Sequence, residues 1–371
     1  ALLGGAPATN DLMDGIDLTW ARVPGGAVIG QLADEAIAKF NPGDIAASVP
    51  ALLAIRAKLA ALPSDPVIDD KRRQLNGILQ HCLGLAVETT VAEPEVAPGE
   101  SVQLHHTTTV RSSVPVRWLA VRYPSLKREI KKTVVMRANE PAAQDSSQRI
   151  PDNTPPTQPY WLREEAAAGI FRVSESKLIG RPENPPTFPV EFVFEVGGQT
   201  LVVADEPVST ADGGKPRHLA VIAPVALHLG SAVALFAPGG RKTIEVEVTA
   251  ARSAAKGTLQ LQIPKGWNVS PAQQSFKLSR AGEKTKLAFT VTAPPRAASG
   301  SIVAVAQIGG TRFSNQRLEI RYDHIPVQLL QPPARVKVVA FEFAIRGKTV
   351  GYLPGAGDDT AASLEQLGYV V

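Results

Sequence analysis

The feature that most restricts the fold of this chain is a change of period. Near Val91 apolar residues stop recurring at helical intervals and begin to alternate with polar ones, and the alternation runs to about Asp323 in short stretches broken by Pro and Gly. Period two places every second side chain on one face of a strand, so a chain that keeps it this long must bury one face of many strands. The 31 Pro and 30 Gly residues agree, because they suit short strands joined by fixed turns. At 371 residues the chain exceeds one ordinary core, which predicts roughly two to four domains.

Ahead of the change the pattern is helical. "AVIGQLADEAIAKF" puts Val28, Leu32, Ala36 and Phe40 near one face. "ASVPALLAIRAKLAAL" offers Ser48 as a cap, Pro50 in the first turn and Pro63 just beyond the end. "DPVIDDKRRQLNGILQHCLGLAV" spaces Val67, Leu75, Ile78, Leu79, Cys82 and Leu83 as a third apolar face, with Asp69 and Asp70 near its start and Gly84 at its end. These runs predict a small helical bundle that serves as a connector over residues 1–89.

Two strand openings resemble each other, "VAPGESVQLHHTTTV" at Pro98-Gly99 and "FAPGGRKTIEVEVTA" at Pro238-Gly239. A shared opening predicts two β-sandwiches, over 90–229 and 230–324. In the first, Val190, Phe192, Phe194 and Val196 share a face, and the polar "RANEPAAQDSSQRIPDNTPPTQPYWL" reads as a long surface connection. In the second, Ile244, Val246 and Val248 point inward, as do Leu259, Leu261 and Ile263. "IPVQLLQPPARVKVVAF" reads as a proline-marked linker, and 332–371 as a fragment of an α/β domain in which "VGYLPGAGDDTAASLEQLGYVV" supplies a strand, a glycine turn, a helix and the start of a second strand. The fold class is therefore mainly β: a small helical bundle, two Ig-like sandwiches and a truncated α/β start.

Chemistry is sparse. The 39 basic and 35 acidic residues leave a net charge of +4 without a basic stripe, so no nucleic-acid partner is expected. The densest basic run, Lys127 to Arg137, has no aromatic residue for base stacking and reads as a solvated strand or loop face. The single cysteine, Cys82, reads as a small buried apolar residue. No segment reaches the ~20 apolar residues of a membrane span, and the first residues lack the basic start of a signal peptide.

His105 and His106 are adjacent and on a strand must point to opposite faces, so they make no two-histidine grip. No metal site, no cofactor site and no activated nucleophile is predicted. Gly355 and Gly357 stand where a strand-to-helix turn could approach a ligand, but the spacing departs from the dinucleotide fingerprint, and Asp358 or Asp359 reads better as a helix cap. Trp118 and Trp267 read as core. Tyr160 and Trp161 follow the proline-rich passage and could face either way.

Several stretches carry a family likeness: "DGIDLTWARVPGG", "ASVPALLAIRAKLAAL", "PPTQPYWLREEAAAGIF", "LIGRPENPPTFPVEFVF", "IPKGWNVSPAQQSFKL" and the closing "GKTVGYLPGAGDDTAASLEQLGYVV". Together they resemble the large bacterial PIG-L/LmbE-like deacetylases, whose N-terminal zinc domain is followed by accessory β-domains and a glutamine-amidotransferase-like (flavodoxin-like) α/β domain. "PKGWNVSP" on its own resembles the Ig-like module found beside bacterial α-galactosidases. The family's catalytic His-Pro-Asp-Asp-Glu run occurs nowhere in this sequence. The resemblance thus implies the accessory, post-catalytic region of a zinc-dependent amino-sugar N-deacetylase-like protein, with zinc in a catalytic domain outside this chain. It implies partnership with the parent's own catalytic and α/β domains, an extracellular or periplasmic setting, and carbohydrate as a ligand, with Tyr160 and Trp161 as the substrate-binding residues. The rival expectations are a structural or adhesive sandwich array without glycan affinity, and catalysis in the α/β piece at Gly355 to Thr360.

Overall fold

Helical spacing and alternation each fold as their periods dictate. The structure is a computed structural model that describes residues 17–166, 168–211 and 215–371. Residues 1–16 of the expected connector, including the start of "DGIDLTW", lie outside the described residues. The chain divides into two units, one built from residues up to 92, 103–148 and 188–219, the other from 93–102, 149–187 and 220–371.

In the first unit three helices, α1 (Ala27–Ala38), α2 (Val49–Ala60) and α3 (Pro66–Leu83), precede the strands. The α3 ends follow the sequence: the Asp65 carboxylate accepts from the Val67 N–H, and Gly84 closes the helix at φ 58° in the left-handed region that glycine tolerates. Ser48 makes no side-chain cap, because a 3-10 turn over Ile45–Ser48 runs straight into α2. Two helical faces differ from expectation. In α1 the buried residue is Ile29, while Val28 and Phe40 are exposed; in α3 Ile68 is buried, while Val67 and Ile78 are exposed. Leu75, Leu79, Cys82 and Leu83 of α3 bury as expected, and the differences arise where apolar residues lie on more than one side of a helix.

Strands begin at Ala86, a few residues ahead of the expected change, directly beyond the Gly84 cap. A five-stranded sheet runs in the order Arg217–His218, Pro207–Ser209, Ala86–Thr90, Ser101–Thr109, Ala142–Arg149, and a four-stranded antiparallel sheet in the order Arg128–Val135, Val116–Tyr123, Val190–Val196, Gln199–Asp205. Val190, Phe192, Phe194 and Val196 are all buried, with Trp118 stacked on Phe192 and fully enclosed. The passage expected as surface connection contains the Ala142–Arg149 strand. It escaped the pattern because its inward residues, Ser146 and Gln148, are polar.

In the second unit two sheets share one core. One runs Val225–Leu229, Arg241–Ala250, Lys284–Thr292, Asn268–Ser270; the other runs Val233–Phe236, Arg335–Ala340, Ala298–Ile308, Ala255–Gln262, Gln273–Leu278, with Thr311–Phe313 paired to the long third strand. Ile244, Val246, Val248, Leu259 and Leu261 bury into that core as the alternation requires, and Trp267 meets Phe236 edge to face. Two expected boundaries move. Val225–Leu229, placed in the first sandwich, pairs with Arg241–Ala250. Arg335–Ala340, placed in a linker and the α/β fragment, lies inside the six-stranded sheet, since Val336, Val338 and Ala340 alternate into its core.

Beyond it come α4 (Thr360–Leu367) and one isolated parallel bridge between Thr349 and Val370. No helix among the described residues is long and apolar enough to cross a membrane.

Candidate functional site

The expected site residues sit in the 149–187 stretch of the second unit. Pro159 ends the extended passage, and Tyr160–Leu162 forms a single 3-10 turn. Asn184 holds that turn from across the loop: its Oδ1 accepts from the Tyr160 N–H at 2.9 Å and its Nδ2 donates to the Gln158 carbonyl at 2.8 Å. The Tyr160 ring packs inward, only 7% exposed, with its hydroxyl donating to the Arg181 carbonyl. The sequence left the direction of Tyr160 open, and the structure turns it inward, where its phenol has found a buried acceptor. Trp161 is half-buried and stands edge-on to Tyr160 with ring centroids 4.8 Å apart.

Beside this turn lies a cavity of about 500 Å³. Three proline pairs, Pro155-Pro156, Pro185-Pro186 and Pro332-Pro333, converge on it. Its frame is held by two buried amides. Gln331 donates from Nε2 to the Thr157 and Val221 carbonyls, both at 2.9 Å, and accepts from the Ala223 N–H at 3.0 Å. Gln158 accepts from the Gln331 N–H and donates to the Leu162 carbonyl. Each of these bonds ends on backbone, so the frame fixes loop positions rather than offering free groups to a ligand. The groups left on the wall are hydroxyls, amide oxygens and, at the rim, the Arg163–Glu175 pair at 3.9 Å.

His105 and His106 do point to opposite faces. His105 is half-exposed, with Nδ1 2.5 Å from Asp145 Oδ1. His106 is wholly buried between the sheets of the first unit, with Nδ1 3.0 Å from Thr89 Oγ1, and Nε2 2.8 Å from the Tyr123 hydroxyl and 3.1 Å from Ser146 Oγ. Asp205 lies beside Thr89, and burial raises its carboxyl above the ordinary value. Burial, helped by neighbouring His105 and opposed by Asp145, holds the His106 imidazole down at about 4. Both ring nitrogens of His106 are engaged by buried or half-buried side chains of the fold, which is what a structural histidine does.

Asp358 accepts from the Gly355 and Thr360 N–H groups and the Tyr352 hydroxyl, which makes it the organiser of the turn before α4 and holds its carboxyl below the ordinary value. Cys82 is buried, and burial raises its thiol. Among the described residues no group of three His, Cys, Asp or Glu side chains could hold a metal ion.

The proline pairs stand in the sequence as "TPPTQ", "NPPTF" and "QPPAR", but their convergence depends on tertiary pairing that brings Pro332-Pro333 to the distant Pro155-Pro156 and Pro185-Pro186.

Residues 236–309 match the family model described as NPCBM-associated, NEW3 domain of alpha-galactosidase. This stretch forms most of the core of the second unit's paired sheets, so the Ig-like module expected there is present. No curated protein matches the chain. Solved structures similar to it include a Salmonella alpha-2-macroglobulin at 13% identity and TM-score 0.24, covering 68% of this chain and 16% of that one. The C-terminal domain of the Streptococcus pyogenes antigen I/II-family protein AspA is similar at 8% identity and TM-score 0.27, covering 69% and 99%. A protein of unknown function from Porphyromonas gingivalis is similar at 12% identity and TM-score 0.18, covering 69% and 98%. The chain thus spans 16% of the macroglobulin's length, and at such TM-scores these likenesses carry no argument.

Proposed function

We propose that this chain is a non-catalytic accessory region whose sandwiches position a neighbouring catalytic domain and bind carbohydrate. The observation that carries the reading is the match of residues 236–309 to a domain type described with α-galactosidase, on a stretch that folds as an accessory β-sandwich. The sequence likeness to PIG-L/LmbE-like proteins adds the finer identity, an amino-sugar N-deacetylase parent with its zinc in another domain. It also reads the tail as the opening of an α/β unit, a reading supported by α4 lying between two segments bridged in parallel at Thr349 and Val370. Trp161, half-buried at the surface, is the remaining aromatic of the expected binding pair.

One observation favours the second reading, a structural array without glycan affinity: Tyr160 is buried and its hydroxyl is engaged. The catalytic part of the proposal is tested by acetate release from N-acetylglucosaminyl substrates. The purified chain is expected to release none with or without added zinc, because a catalytic zinc needs three protein ligands and an open position for water. Zinc-dependent acetate release that survives repurification would overturn it.

A further inference from the structure

We propose that the proline-walled cavity of the second unit is a binding site for one uncharged sugar ring, a pyranose unit of a neutral glycan. The inference rests on the carbohydrate reading above and gives it a place other than the Tyr160–Trp161 edge.

Size is the first ground, since about 500 Å³ lies within the range of small-molecule sites. Rigidity is the second. Proline rings fix φ and carry no N–H, so three converging pairs make a wall of C–H faces that needs no ordering when a ligand enters. The two buried glutamines lock the loops behind that wall through bonds to backbone. The third ground is the chemistry left over. Thr154, Thr187 and Asn315 line the cavity; Thr154 Oγ1 and Asn315 Oδ1 make no hydrogen bond to another described residue, and Thr187 Oγ1 has only a long contact, 3.4 Å, with Thr157 Oγ1.

Two hydroxyls and an amide oxygen complement the donors and acceptors of sugar hydroxyls, while the pyrrolidine faces suit the apolar face of the ring. The only charges on the lining, Arg163 and Glu175, face each other across 3.9 Å and largely cancel. An anion or cation would therefore find no net counter-charge, which separates this site from a phosphate or carboxylate pocket. A ligand of a dozen heavy atoms held without charge is expected to bind in about the millimolar range.

The test is saturation-transfer NMR on the full chain with galactose and N-acetylglucosamine, and with glucose 6-phosphate as the charged comparison. Both neutral sugars, or one of them, are expected to give signal, with the phosphate no stronger. The double variant Thr154→Val and Thr187→Val should weaken binding about tenfold, the factor that 1.4 kcal/mol represents, at an unchanged melting temperature. If the double variant does not fold, amide shifts of the unaltered chain on titration with the same sugars decide: changes centred on Thr154, Thr187 and Asn315 support the site. Sugar binding with shifts elsewhere, or binding that survives the double variant, overturns the cavity while leaving the carbohydrate reading intact. Absence of signal from every neutral sugar overturns the cavity too, and a chain that also retains no glycan on an array loses the carbohydrate reading with it.

Discussion

At the scale of single residues, His106 carries the sharpest prediction. Its imidazole is neutral in the fold and titrates at about 4, whereas an unfolded histidine titrates near 6.5. The unfolded state thus takes up the proton first as pH falls, so the contribution of His106 to stability is complete above about pH 6.5 and is lost progressively down to about pH 4. The groups facing it are Thr89, Tyr123 and Ser146, with Phe192 edge-on; Asp205 lies beside Thr89, and His105 and Asp145 act through space. None puts a carboxylate directly on the ring. Urea unfolding should show a loss of up to about 3 kcal/mol across that window, and His106→Gln should flatten it; parallel curves for the two proteins would refute the assignment. That His105 and His106 face opposite ways was legible, since neighbours on a strand do so, but not which of the two points inward. The partners of His106 were not legible either, because Thr89, Tyr123 and Ser146 come from three other strands whose pairing no local pattern specifies.

At the scale of elements, strands with apolar inward faces were the legible ones. Arg241–Ala250 keeps strict alternation and buries as read, and in Val190–Val196 the four expected residues bury, with Val193 buried on the other face as well. Ala142–Arg149 was hidden because it faces the polar network of His106 and Tyr123, where serine and glutamine serve as the inner surface. Helix α1 shows a related ambiguity: Val28, Ile29, Leu32 and Ile37 are spread round the axis, and only packing selected Ile29. The tail adds a device that spacing could not reveal. Gln366 accepts from the Leu235 N–H and donates to Ser231 Oγ, while Lys242 Nζ donates to the Gln366 carbonyl at 3.0 Å, so α4 is pinned to the sandwich edge strand Val233–Phe236 by one residue. Few of its apolar side chains are well covered; Leu353 is almost wholly exposed. Hydrogen exchange should therefore find amides from Lys348 onward much faster than those of Thr243 to Val248. Gln366→Ala removes two side-chain bonds worth about 1 kcal/mol each and should speed α4 exchange about tenfold or more, whereas unchanged rates would mean that α4 is held by burial instead.

At the scale of the whole molecule, the mainly β class and the helical start were legible from the change of period alone, and the Ig-like module from "IPKGWNVSP". The boundaries were less so, because Pro-Pro in "QPPARVKVVAF" looks like a linker yet immediately precedes a strand that the core needs. Prolines reported where the chain turns, not where a domain ended. The central claim, that this is a carbohydrate-binding accessory region, is tested most directly by a glycan array probed with the full chain. The account predicts retention of neutral glycans that persists as salt is raised, since screening weakens charge contacts and leaves uncharged ones in place. A folded chain that retains no glycan above background, or only anionic ones released by salt, would contradict it.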